Sequence, residues 1–390
     1  MTNQNREVMN FLPEQYDADR RLNLSHNYLS PQFADHDLIL AKVREVVIRG
    51  DFTLGGEVDL LEAEFARLCE TKHAVSVGSG TDAIFLCLKA IDIQKGDEVI
   101  TTPFTFYATV GAIVAAGGTP VFADIGDDYN IDPKKIEQKI TDKTKCIVPV
   151  HWAGRPCALD QLEALAESVG IPIISDACHA VMAAYQGIPV AKWGLASCFS
   201  FHPLKNLNIW GDGGMVATDS ADLARALRLL RNHGLISRDR CERFGYNSRL
   251  DTIQAVVARH MLPKLEHITT SRISNSKYFD EKLHLIRGVS VPRRDSREKE
   301  VFHLYSVLCD DRDNLQKFLI GRGIDAKIHY PIPMHLQPAS AFLGYRFGDF
   351  TKAERTAAAT LSLPVHEFMS RAQQDYIVAA IEEFYGDVCY

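Results

Sequence analysis

Apolar residues recur at spacings of three and four in DLILAKVREVVIRG and again in LLEAEFARLCE, the pattern of helices with one buried face. Before them, the first thirty-odd residues are polar and irregular, and NLSHNYLSPQ reads as an arm lying along a surface. From His73 the pattern changes. HAVSV, EVITT, TPVFAD, KCIVPV and IPIISDA are short runs rich in β-branched residues. Helical stretches such as TDAIFLCLKAID, YATVGAIVAAG and LDQLEALAESVG lie between most of them. Alternation of this kind predicts parallel strands joined by helical crossovers, with functional loops at the strands' carboxyl ends. SCFSFH and GGMVATD add two strands on either side of a loop containing Lys205.

A long helical stretch, roughly 250–285 with a break, follows as a spine. Beyond it VFHLYSVLCD and AKIHY read as strands, and DNLQKFLIGRG, TKAERTAAATLSL and AQQDYIVAAIEEFYG as helices. The predicted organisation is an arm (1–35), a large α/β domain (36–250), a linking helix (251–285) and a small α+β domain (286–390).

Composition narrows the class. With 390 residues, 46% of them hydrophobic, the chain can bury a real core. A net charge of −7 argues against a general nucleic-acid binder, which needs a basic surface to displace counterions. The nine cysteines, an odd number with no CxxC pair, read as reduced thiols in a cytoplasmic protein. No apolar run approaches the ~20 residues of a membrane helix, and the first residues lack the apolar core of a signal peptide.

Three motifs carry chemistry. In VGSGTDA a strand ends at Val77, Gly78-Ser79-Gly80 makes a turn, and Thr81 opens a helix. Free backbone N–H groups at a helix start suit a phosphate, though Ser and Thr are also ordinary N-caps. The motif fits neither the Walker nor the dinucleotide pattern. In PIISDACHA, Asp176 follows a buried strand, where a carboxylate either pairs with a pyridinium nitrogen or caps a turn. His179 lies three residues on. In SFHPLKN, Lys205 is expected at a strand end in a crowded site, where burial makes an amine nucleophilic toward an aldehyde. Ser200 and His202 lie on its approach, and Ser200 is placed to add a phosphate contact.

The ordered motifs GSGTDA, DACHA, SFHPLKNLNIWGDGG, RNHG, GYNSRLDTIQA, HYPIPMHLQ and LSLPVH resemble the DegT/DnrJ/EryC1/StrS family of sugar aminotransferases over nearly the whole chain. The resemblance implies the aspartate-aminotransferase type of fold (fold type I), a large domain with a mixed, mostly parallel sheet, and pyridoxal 5'-phosphate as cofactor. Lys205 matches the Schiff-base lysine, and Asp176 the carboxylate beside the pyridine nitrogen. His179 matches the Gln-or-His position beside the ring. Gly80, Thr81 and Ser200 match the phosphate cradle, and Phe106, with Tyr107 as a rival, matches the stacking aromatic. Asn247 matches an asparagine reaching the neighbouring subunit's phosphate, so a homodimer with shared sites is implied. The implied partners are a keto-sugar nucleotide and glutamate or 2-oxoglutarate. GTDA, GDGG and GYNSRLD are more like the subgroup acting on 3-keto sugars. Arg231 and Arg249 are candidates for a carboxylate or diphosphate, and Thr53, His329, Tyr330 and His335 for other substrate contacts. Trp152, Arg155 and Cys157 depart from the small polar residues usual in their loop. Retention of Lys205 disfavours the dehydratases of the family, in which His replaces it; the alternatives are transamination of a cyclitol ketone or other keto sugar, sugar dehydration, and a sugar-nucleotide sensor without turnover.

Overall fold

A computed structural model describes residues 22–26 and 28–386. The amphipathic stretches fold as α1 (His36–Arg49) and α2 (Gly56–Leu68), and the α/β alternation begins with β1 (His73–Val77) and α3 (Gly80–Ala90). It continues through β2 (Glu98–Thr101), α4 (Tyr107–Ala116), β3 (Thr119–Phe122), β4 (Thr144–Ile147), α5 (Leu159–Val169), β5 (Ile174–Asp176), β6 (Ala196–Ser200), β7 (Gly214–Thr218) and α6 (Ala221–Leu230).

Strands β3, β2 and β4 pair in parallel, as do β5 and β6, whereas β7 runs antiparallel to both β6 and β1. Parallel bridges Ile147–Ile173 and Val150–Asp176 join the two groups. The resulting order, β3-β2-β4-β5-β6-β7-β1, is mixed and mostly parallel. Helices cover both faces because successive strand residues point to opposite sides. Met215 and Ala217 of β7 enter the core that includes α1 and α2, while Val216 between them packs with α3 and α6.

The spine is α7 (Thr252–Met261), a 3₁₀ turn at Leu262–Lys264, and α8 (Leu265–Leu283). Pro263, which lacks an N–H, marks the break. A smaller antiparallel sheet follows, with order β8 (Val289–Ser290), β9 (Tyr305–Cys309), β10 (Thr360–Leu363). It packs with α8, α9 (Arg312–Gly321) and α11 (Arg371–Gly386) around Phe279, Tyr305, Leu315 and Ile377. Residues 22–26 strap onto this unit: Leu24 N–H donates to Gly323 O at 2.9 Å, and Asp325 N–H donates to Leu24 O at 2.9 Å. The rest of the arm, 1–21 and 27, lies outside the described residues.

Two expectations fail here. TKAERTAAATLSL is helical only over α10 (Thr351–Ala359); TLSL is β10. The alternation of Leu361 and Leu363 with Ser362 is a period of two, and Ser362 Oγ meets Ser306 Oγ of β9 at 2.7 Å. AKIHY forms no ladder, only an isolated bridge from Lys327 to Ser362.

Candidate active site

Strand register brings the three motifs together. Val77 and Ser200 both lie opposite Gly214, so the GSG turn after β1 and the end of β6 flank one residue of β7. Asp176 lies opposite Cys198, at the carboxyl end of the neighbouring strand. At α3 the N-cap is Ser79, whose Oγ accepts from Asp82 N–H at 3.0 Å, and the helix opens at Gly80 rather than Thr81. Among the described residues the amides of Gly80 and Thr81 have no acceptor, which leaves two N–H groups at the positive end of a helix dipole. A Cβ on Gly80 would stand 2.7 Å from Ser200 Cβ and 2.8 Å from Cys178 Sγ, so only glycine lets the turn approach both.

Asp176 is buried, and its carboxylate is held from two sides. Thr109 Oγ1 donates to Oδ2 at 2.7 Å, and Cys178 N–H donates to Oδ1 at 3.1 Å. Thr105 Oγ1, in the loop just before α4, lies 2.8 Å from Thr109 Oγ1 and extends the chain of hydroxyls. Lys205 lies in a pinned loop. Its N–H donates to His202 O at 2.8 Å, Tyr28 Oη donates to Leu204 O at 3.1 Å, and Asn206 Nδ2 donates to Val301 O at 3.0 Å. Burial holds the Lys205 amine below the usual lysine value, while Cys178 and Asp176 pull it back up. Its charge in turn bears on His179, His202, His303 and His329, all of them held below the usual imidazole value chiefly by burial. The amine thus lies within electrostatic reach of the carboxylate, a thiol and four imidazole rings.

His179 Nδ1 accepts from Ala153 N–H at 3.2 Å, which fixes its tautomer, and its ring lies 4.3 Å from that of His303. Phe106, 47% exposed at the start of α4, has its ring 5.7 Å from Tyr330. Tyr330 feels the charges of Asp176 and Cys178, and its phenol is pushed well above the usual value by burial. Asn247 is exposed, while Ser248 beside it accepts from Gly78 N–H at 3.1 Å and donates to Asp82 at 2.9 Å, tying GYNSRLD to the GSGTD turn. Thr53 bridges to Asp251 in the same region, and Arg249 Nη1 donates to Asn232 Oδ1 at 3.1 Å.

Other residues singled out in the sequence are occupied elsewhere. Arg231 is buried and ion-paired with Glu62, with Nη1 also 2.8 Å from Ser76 O, so it is not presented to a ligand. His335 is buried against Glu354 at 3.0 Å and the Phe350 ring, a support for the wall rather than part of the site. Trp152 packs against Phe104 and Tyr129, Arg155 pairs with Glu298 at 2.7 Å, and Cys157 Sγ donates to Val150 O at 3.2 Å. The oddities of that loop therefore belong to packing. Conversely, Thr109, Cys178, Ser248 and His303 belong to the site and were not identified from sequence. Nothing local marks Thr109, Ser248 or His303, because each meets its partner from a distant segment.

An anion-binding helix start, a clamped carboxylate and an amine of lowered basicity suit a phosphate, a ring nitrogen and an aldehyde carbon respectively. The residues present therefore fit pyridoxal phosphate. The sequence model of the DegT/DnrJ/EryC1/StrS aminotransferase family matches residues 34–382. A Geobacillus stearothermophilus pleiotropic regulatory protein is 40% identical over 93% of this chain and 98% of its own. The dTDP-3-amino-3,4,6-trideoxy-alpha-D-glucose transaminase of Streptomyces venezuelae is 39% identical over 88% and 91%. Among solved structures, S. venezuelae DesV in complex with a ketimine intermediate superposes with a TM-score of 0.91 at 37% identity, covering 93% of this chain and 98% of that one. A Bacillus subtilis protein with bound cofactor PMP gives 0.84 at 25% identity, over 98% and 91%. The fold is thus of the aspartate-aminotransferase type, fold type I. With its carboxylate, amine and helix-start cradle assembled at one sheet edge, the chain belongs to the DegT/DnrJ/EryC1/StrS aminotransferase family.

Proposed function

We propose that this chain is a pyridoxal-phosphate-dependent aminotransferase that moves an amino group from glutamate to a nucleotide-linked 3-keto sugar, in amino-sugar biosynthesis. The observation that carries the reading is the convergence of Lys205, Asp176 and the Gly80–Thr81 amides on one edge of the sheet. When bound, the cofactor supplies an aldehyde that accepts an amino group and a ring that acts as an electron sink. Gly80 and Thr81, with Ser200, hold its phosphate. The Asp176 carboxylate, clamped by Thr109 and Cys178, keeps a proton on the ring nitrogen. Lys205 is the amine that would anchor the cofactor, and the same amine would hold or move a proton at the carbon undergoing amination or deamination. Phe106 and His179 would flank the cofactor ring, and neutral His179 would add no competing charge there.

The unit we propose is a homodimer in the cytoplasm. Large apolar side chains along and after α1 are exposed, among them Ile48 at 75%, and Phe244 beside Asn247 is 96% exposed. A surface of this kind is suited to a second copy, into whose site Asn247 would reach. The eight described cysteines are unpaired, in keeping with a reducing compartment, and no helix among the described residues is long and apolar enough to cross a membrane.

The test is to incubate holoenzyme, glutamate and a panel of 3-keto and 4-keto sugar nucleotides, then read the products by mass. Amination confined to 3-keto substrates is expected. Conversion of 4-keto sugars alone, or loss of water without gain of nitrogen, would overturn the reading.

A further inference from the structure

Beside the Lys205 loop lies a basic, partly enclosed recess with a cavity volume of about 70 Å³. His26 and Tyr28 of the N-terminal segment, Arg272 of α8, and His303, Lys327 and His366 line it together with Leu204, the chain neighbour of Lys205, whose charge bears on His303. Arg272 is only 1% exposed. Its guanidinium lies over the Tyr28 ring at 4.8 Å, and Nη1 donates to Phe302 O at 3.0 Å. Nε and Nη2 have no hydrogen-bond acceptor among the described residues. The carboxylate facing them, Glu367, keeps Oε2 at 3.9 Å from Nη2, beyond hydrogen-bonding reach.

Burying such donors unpaired is costly, and interiors seldom tolerate it without a ligand or a bound solvent molecule. The two nitrogens share one edge of the guanidinium, whose parallel N–H bonds match the two oxygens of a carboxylate. Lys327 adds a second positive charge, offset on one side by Asp325 at 2.9 Å. Burial pushes His26 and His329 down to about 3 and His366 to about 4, helped by Lys327 at His26 and His329 and by Arg272 at His26 and His366. At neutral pH these rings are uncharged hydrogen-bond partners. Nδ1 of His303 and of His366 has no partner among the described residues.

We propose that the recess holds a carboxylate of the amino donor, gripped by the free edge of Arg272 with Lys327 as the second charge. This rests on the aminotransferase reading and extends it: the donor is a small dicarboxylic acid, selected by side chains of the spine helix, the N-terminal segment and the smaller unit together. The sugar nucleotide then enters from the exposed side, where Phe106 and Tyr107 lie open.

The test is calorimetric titration of holoenzyme with glutarate, which carries both carboxylates but no amino group, and with UDP and TDP. Wild type is compared with Arg272→Lys and Lys327→Gln. Glutarate is expected to bind wild type and to bind each variant at least tenfold more weakly, with nucleoside diphosphate affinity changed less than twofold. Lys327 is partly exposed, so its variant keeps the test decisive should Arg272→Lys fail to fold. No glutarate binding to wild type, unchanged glutarate affinity in the folded variants, or a loss confined to the nucleotides would each overturn the proposal. Because glutarate cannot react, the titration stands apart from the function itself. Wild-type enzyme that binds glutarate but never exchanges an amino group with glutamate would refute the aminotransferase reading alone.

Discussion

Thr109 offers a sharp test of how the site is built, because it touches Asp176 and nothing else that reacts. It is fully buried on α4, and its hydroxyl is one of two donors that fix the plane of the Asp176 carboxylate. Thr109→Val replaces that hydroxyl with a methyl group of similar size, so the wall keeps its shape while Oδ2 loses its partner. A hydrogen bond to a charged acceptor contributes about 1.5–3 kcal/mol. If the bond serves to hold the carboxylate against a protonated ring nitrogen, that energy is lost from the rate-limiting barrier. The expected cost is then roughly 10- to 150-fold in rate, at about 1.4 kcal/mol per factor of ten. Single-turnover conversion of holoenzyme by glutamate, followed by the change in cofactor absorbance, measures it, and a titration of cofactor affinity separates loss of binding from loss of chemistry. Thr109→Ser restores the donor and is expected to recover most of the rate. A valine variant within twofold of wild type, or a serine variant as slow as the valine one, would refute this positioning role.

Three further outcomes follow from the same geometry. Gly80→Ala drives a Cβ against Ser200 and Cys178 at under 3 Å; it is expected to weaken cofactor binding at least tenfold and to cost about 1–3 kcal/mol of stability by overpacking, read by cofactor titration and denaturant unfolding. Arg231→Ala removes the buried partner of Glu62, which keeps Arg228 at 3.3 Å and the Ser76 N–H and hydroxyl, and is expected to lose about 1.5–3 kcal/mol in denaturant unfolding, whereas Arg249→Ala shifts stability by no more than about 0.5 kcal/mol; equal losses would contradict the assignment. Because burial lowers the Lys205 amine, more of it is uncharged at a given pH than in free lysine. Cofactor incorporation into apoenzyme is thus expected to rise with pH and level off below pH 10.5; a plateau only above that value would count against it.

Much of this architecture was readable from the chain, for reasons that differ between elements. α1 announces itself by periodicity and α4 by an apolar run too long for a strand, and each ends on a glycine in the left-handed conformation, Gly50 at φ 68° and Gly117 at φ 98°. Asp176 was legible because it ends β5, a continuous apolar run, whereas Lys205, expected at a strand end, lies in the loop five residues beyond β6 and was legible only from its motif. What escaped depends on partners far away in sequence. Thr109 is 67 residues from Asp176, and Glu62 is 169 from Arg231, so neither the clamp nor the ion pair leaves a local trace. TLSL was read as helix because the alanine-rich stretch before it is a strong helix former; pairing with β9 decided otherwise. The basic recess was invisible for a similar reason, since its walls come from segments as distant as His26 and His366.

The central claim is that Lys205 carries the cofactor. Reduction of holoenzyme with borohydride makes a lysine–cofactor linkage permanent, and peptide mass mapping then locates it. The added mass is expected on the peptide containing Lys205 and to be absent from the Lys205→Ala variant. Finding it on another lysine, or finding none on folded wild-type holoenzyme, would contradict the account.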